Sequence, residues 1–183
     1  MAAVKKFSEE AIIGAALKLI REGGMDALNV RSLAGALGCS TRPVYITFGS
    51  MDEVKARAVE QINKAYLGYL KREVESGRYP PYKAYGMAYI RFAREEREFF
   101  KYQFMRDRTG ESGEEDISEV IAAVMKSTGL DEERAKLFHL ESWIFVHGIA
   151  AMLATSYFAL DEELISMMLT DMFEGLKTRF GSK

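Results

Sequence analysis

Within one short stretch, Ser40-Thr-Arg-Pro-Val-Tyr45 sets two hydroxyls, a guanidinium and a phenol at the start of what reads as a brief helix. Hydroxyls and unpaired backbone amides at a helix start can hold a phosphate, helped by the positive end of the helix field. The Arg42 fork suits the O6 and N7 atoms of guanine, or a phosphate. Tyr45, one turn further on, can bond a phosphate and lay its ring against a sugar edge. Arg31, early in the preceding helix, can reach base or backbone, and Lys5 and Lys6 could add phosphate attraction from an arm. This is chemistry for gripping a duplex. Bond-making chemistry is missing, because the chain has neither a phosphate-cradling glycine loop nor a nucleophile in a recognisable elbow. No catalytic residue and no cofactor is therefore expected.

Two helices joined by a tight turn would carry these groups. Val30, Leu33, Ala34 and Leu37 have the spacing of one apolar helix face. Gly38 stops that helix through a left-handed conformation, and Cys39 is a small plug behind it. Ser40 or Thr41 can cap the second helix, and Pro43 fits its first turn. Val44 and Phe48 turn inward, leaving Arg42, Tyr45 and Thr47 outside. The pattern is a helix-turn-helix. A helix opening at Ser8, with the stripe Ile12, Ala15, Ala16, Leu19 and Ile20 and a break at Gly23-Gly24, completes a small core. Asn29 is placed to cap the first helix of the pair.

The 183 residues allow a small domain joined to a larger one. With 48% apolar and 28% charged residues the chain is globular. One cysteine excludes an internal disulfide and suits a reducing compartment, so a cytoplasmic location is expected. Met1–Lys6 lack the apolar core of a secretory signal. The net charge of −2 means that attraction to DNA must be local. Ser142–Leu160 carries no full charge and approaches a membrane span in length, but it lacks flanking cationic clusters and contains His147, Gly148 and several hydroxyls. A helix buried in a core or a subunit interface accounts for it, and no membrane partner is expected.

Beyond Phe48 the reading is all-α, with residues 1–50 as a helix-turn-helix domain and 51–183 as a helical ligand-binding and dimerisation domain. A long helix opens at Asp52-Glu53 and fades at Glu75-Ser-Gly77, before the break at Arg78-Tyr-Pro-Pro81. Further helices are expected over 82–95, 96–105, 115–127, 131–157 and 161–180, with a polar loop at Thr109–Gly113. A pocket for a small apolar or aromatic effector would draw on Tyr66, Tyr89, Phe92, Phe104, Met152 and Tyr157, although such residues also build cores. The last two helices are apolar over so wide an arc that they must bury two faces. One face would pair with a second copy as a four-helix bundle, through Trp143, His147, Ala151, Leu164, Met168 and Phe173. His139 and His147 have no Asp, Glu or Cys partners that would make a metal site, so none is expected.

Residues 8–55 resemble the N-terminal domain of TetR/AcrR-type transcriptional regulators. The likeness rests on the opening amphipathic helix, the Gly-Gly break, Val30-Arg-Ser-Leu-Ala-x-x-Leu-Gly-Cys-Ser and Val44-Tyr45-x-x-Phe48, without insertions. Trp143-Ile-Phe-Val-His147-Gly148 is similar to the Trp…His-Gly signature of one subgroup. The resemblance implies a homodimer on a palindromic double-stranded operator, acting as a repressor and released by a small molecule. It also implies a DNA contact at Arg31. One position departs from the pattern: where the family commonly has a phosphate-touching lysine, this chain has Met51, and Lys55 is placed to substitute. The competing reading is a helical small-molecule-binding or interaction protein whose helix-turn-helix only packs against other helices.

Overall fold

The computed structural model describes residues 7–109 and 116–181, so the Lys5-Lys6 arm and most of the expected Thr109–Gly113 loop lie outside it. The described residues form helices α1 (Glu9–Gly23), α2 (Val30–Leu37), α3 (Arg42–Thr47), α4 (Met51–Glu75), α5 (Pro81–Glu95), α6 (Arg97–Phe104), α7 (Ser118–Thr128), α8 (Glu132–Ala154) and α9 (Glu162–Gly181), and no strand. The all-α expectation holds. The helices divide into two compact units. One comprises the chain up to Tyr66 together with Glu96–Met105, and the other comprises Leu67–Glu95 and Arg106 onward.

In the first unit, local chemistry sets each helix end. The Ser8 hydroxyl accepts from the Ala11 amide, and Gly24 ends α1 at φ 72°. Asn29 caps α2 by accepting from the Arg31 and Ser32 amides, both at 3.0 Å, while Ser32 Oγ accepts from the Asn29 amide at 3.1 Å. This reciprocal box stabilises a helix that is too short to persist alone. Ile12, Ile13, Ala16 and Ile20 of α1, Leu28, Leu33 and Ala34, Val44 and Phe48, and Val54, Ala58 and Ile62 of α4 are buried. Each large side chain among them contributes about 1.5–3 kcal/mol of transfer free energy. Helix α6 belongs to this unit through Arg21, whose guanidinium grips Glu96 with two bonds, at 2.8 and 3.0 Å, and lies over the Phe99 ring.

The second unit is built on α5 and α8. Ala84, Met87, Ala88, Tyr89, Ile90, Phe92 and Ala93 are buried along α5, and Ala135, Phe138, Val146, Ile149, Ala150 and Leu153 along α8. At one end Phe138 sits among Tyr82, Phe173 and Phe180 with ring centroids 5.4–6.1 Å away, the offset and edge arrangement that aromatic quadrupoles favour. Helix α8 stops at Ala154, short of the expected Tyr157, because Thr155 already leaves helical geometry and Ser156 adopts φ 58°. By length and mean hydropathy of 1.4, α8 could cross a bilayer. Its apolar residues divide between the buried face just named and an exposed stripe described below.

Two tyrosine–histidine pairs join α5 to α8: Tyr82 Oη lies 3.2 Å from His139 Nδ1, and Tyr89 Oη lies 2.9 Å from His147 Nδ1. Burial pushes the Tyr82 hydroxyl up to about 12 and holds both histidines below their ordinary 6.5. The tyrosine therefore donates and the neutral imidazole accepts. The unfolded chain then binds more protons than the folded one at mildly acid pH. Stability should be full above pH 6.5 and fall as the pH drops below it toward the lowered folded values. Urea midpoints from pH 7.5 to about 5.5 should show this fall, and His139→Gln should reduce its slope. An unchanged slope in that variant would remove His139 from the account.

Candidate nucleic-acid interface

The turn between α2 and α3 sets the direction of α3. Gly38 takes φ 63° and ψ 40°, the left-handed geometry expected of it, and the Cys39 amide closes back onto the Ala34 carbonyl at 3.0 Å. Any residue with a Cβ is strained there. Thr41 occupies the cap position of α3, but its hydroxyl makes no capping bond, and Pro43 fills the first turn. Pro43 and Val44 face inward. Phe48 closes the helix with its amide on the Val44 carbonyl at 2.8 Å and its ring in the core.

That placement leaves the other face of α3 in solvent. Ser40 and Arg42 are exposed, Thr41 is half-buried, Tyr45 is 47% exposed and Ile46 is 58% exposed. Arg31 is exposed in the first turn of α2, its backbone fixed by the Asn29 cap. From Val30 to Phe48 the only charged side chains are Arg31 and Arg42, so this stretch is positive although the whole chain is not. Thr47 is less available than its sequence position suggests, since its hydroxyl donates to the Phe7 carbonyl at 3.4 Å.

The start of α4 offers little to a phosphate. Ser50 Oγ accepts from the Glu53 amide at 3.2 Å, and the Glu53 carboxylate accepts from the Gly49 amide at 2.9 Å. Two amides that could face an anion are thus bonded internally, and Asp52 and Glu53 place negative charge there. Met51, at the family's lysine position, and Lys55, one turn later, are both half-buried.

The residues singled out for a pocket fall into separate places. Within the first unit Tyr66 and Phe104 meet edge-on at 5.2 Å, and Phe100 lies 5.2 Å from Phe104. Beside them in sequence, the Gln103 Oε1 atom is buried with no hydrogen-bond partner among the described residues. Buried acceptors rarely stay unsatisfied, so a donor from outside the described residues is expected at this atom. In the second unit Tyr89 and Phe92 are buried, Phe92 against Tyr69 at 5.4 Å, whereas Met152 and Tyr157 are exposed.

The residues singled out for a dimer contact are also mixed. Trp143 is exposed and stacks on His147, with centroids 5.1 Å apart and planes at 26°. Leu164 is exposed, while Ala151 and Met168 are half-buried. Phe173 is half-buried and packs against Phe138 and Tyr82. Ile144 on α8 is exposed, as are Leu137 and Leu140 on α8 and Met167 on α9, and these last three were not singled out. The three-and-four spacing of Leu137, Leu140, Ile144, Gly148 and Ala151 is the signal that would have found them. A side chain added at Gly148 would meet nothing within 4 Å, so the stripe is open along this stretch. Among the described residues no cluster of three His, Cys, Asp or Glu could hold a metal ion.

Comparison with known proteins bears on this arrangement. A family model described as bacterial regulatory proteins, tetR family, matches residues 12–58. A second, described as tetracyclin repressor-like, C-terminal domain, matches residues 82–174. A solved structure described as a transcriptional regulator TetR family protein from Vibrio parahaemolyticus is 18% identical and has a TM-score of 0.61. That alignment covers 91% of this chain and 97% of the other, which is a likeness of fold. No curated protein sequence matches the chain.

Proposed function

Since the chain belongs to the tetR family of bacterial regulatory proteins and is a DNA-binding transcriptional regulator, we propose that it is a homodimeric repressor. In this reading it holds a palindromic operator and leaves it when a small aromatic or apolar effector binds. The supporting observation is the outward face of α3, where Arg42 and Tyr45 stand in solvent beside a locally positive surface. Arg42 reads base edges, Arg31, Ser40, Thr41 and Tyr45 position the backbone, and Lys55 supplies what charge α4 can offer. The proposed domains are 1–50 for DNA and 51–183 for effector and partner. The proposed location is cytoplasmic, and the proposed role is binding and not catalysis.

The stripe from Leu137 to Ala151, with Trp143, Leu164 and Met167 nearby in sequence on α8 and α9, is the proposed contact with a second copy. Two copies would set the α3 helices about 34–36 Å apart, one turn of DNA. The proposed effector carries a hydrogen-bond donor on an aromatic frame and seats on α6 against Tyr66 and Phe104, where Gln103 awaits a donor. Helix α6 lies within the C-terminal match but packs in the DNA-binding unit, clasped by Arg21. An effector that favours a shifted α6 would loosen that clasp and weaken operator binding by its differential affinity, typically about 5- to 150-fold.

Gel shifts on DNA flanking the chain's own gene, with light scattering of the free protein, test the reading. The expected results are sequence-specific, salt-dependent binding and a mass of twice 20.6 kDa. A monomer, or binding indifferent to sequence, would overturn it. Native mass spectrometry of the purified protein tests the effector.

A further inference from the structure

Helix α3 carries one outward aliphatic side chain: Ile46, 58% exposed between Tyr45 and Thr47. The core needs of this helix are met by Val44 and Phe48, both buried. A single exposed isoleucine on a protein surface is ordinary. Here its position gives it meaning, because it lies four residues beyond Arg42 and so on the same face. That face also has a narrow chemical repertoire. From Ser40 to Phe48 there is no Asn or Gln to pair with adenine and no Asp or Glu to accept from cytosine, and the Thr47 hydroxyl is engaged by the Phe7 carbonyl.

We propose that Ile46 is a specificity residue that packs on the C5 methyl of a thymine in the major groove. The inference rests on the reading of α3 as the operator-reading helix. The thymine methyl is the apolar group that the major groove presents, and an aliphatic side chain is its natural partner. Isoleucine suits the task because its branched side chain is stiff and loses little freedom on contact. The geometry also gives a spacing. Four residues of helix rise about 6 Å, and successive bases on one strand lie about 3.4 Å apart. Each half-site should therefore carry a thymine one or two base steps from the guanine held by Arg42.

The test uses the full chain and an operator that it selects from a random duplex pool. Each thymine is replaced in turn by deoxyuridine, which removes only the methyl group. Wild-type affinity should fall about fourfold at one thymine per half-site, the cost of exposing one buried methyl. Ile46→Ala should bind the parent operator more weakly and be indifferent to that replacement, whereas Ile46→Val should keep part of the sensitivity. Since Ile46 lies outside the core, these variants should keep wild-type helix content. Indifference of the wild type to every thymine methyl overturns the inference, as does full sensitivity retained in Ile46→Ala. A chain that enriches no sequence at all overturns the operator-reading role of α3 itself, which is a different failure.

Discussion

Replacing Arg42 by alanine should weaken operator binding by about 30-fold or more, with helix content and oligomeric mass unchanged. A bidentate contact to guanine discriminates by about 1–3 kcal/mol, and a dimer makes it twice. Arg42 is exposed on α3, so its removal leaves Pro43, Val44 and Phe48 in place. The effect should be large because this stretch has few charges: Arg31 is the only other one from Val30 to Phe48, and the amides at the start of α4 are held by Ser50 and Glu53. Arg42→Lys separates charge from geometry. Lysine keeps phosphate attraction but loses the planar fork, so non-specific binding should persist while discrimination falls. Anisotropy titrations against operator and scrambled duplex read both quantities. Equal affinity of Arg42→Ala and wild type for the operator would remove Arg42 from the interface.

A large stability effect should come from Arg91. In the second unit its guanidinium reaches Glu73 at 2.7 Å and Glu162 at 3.1 Å, and Glu162 also accepts from Arg78 at 2.6 Å. Glu73 is only 4% exposed and Arg91 31%. Removing Arg91 leaves the Glu73 carboxylate buried without its cation, a change that costs about 3 kcal/mol at the lower end of the range for such pairs. Arg91→Ala should thus lower the melting temperature by about 6–12 °C at fixed protein concentration. The double variant Glu73→Gln with Arg91→Ala should recover most of the loss, because the charge left behind by the single change is gone. A loss below about 1 kcal/mol in the single variant would mean that Glu73 finds water when Arg91 leaves, contrary to this account.

Features decided within a few residues were legible in the chain itself. The Ser8 and Asn29 caps, the left-handed Gly38, Pro43 in the first turn of α3 and the inward Val44 and Phe48 depend on near neighbours, and the structure places them as expected. The Thr41 cap position was legible, but the idleness of its hydroxyl was not. Features decided by distant partners left no such trace. Nothing local announces that Arg21 will clasp Glu96, or that Arg91 will join Glu73 to Glu162. Helix α9 illustrates the same limit. Its apolar residues cover a wide arc, and only the packed structure sets the half-buried Phe173 against Phe138 while leaving Met167 exposed. Ile46 was readable in type and position, but its availability depended on Val44 and Phe48 already filling the core.

Hydroxyl-radical footprinting of the selected operator by the full chain is the most direct test of the central claim. The account predicts two protected windows related by two-fold symmetry, with centres about 34–36 Å apart along the duplex, both lost in Arg42→Ala. Uniform protection, or the same pattern on a scrambled duplex, would contradict it.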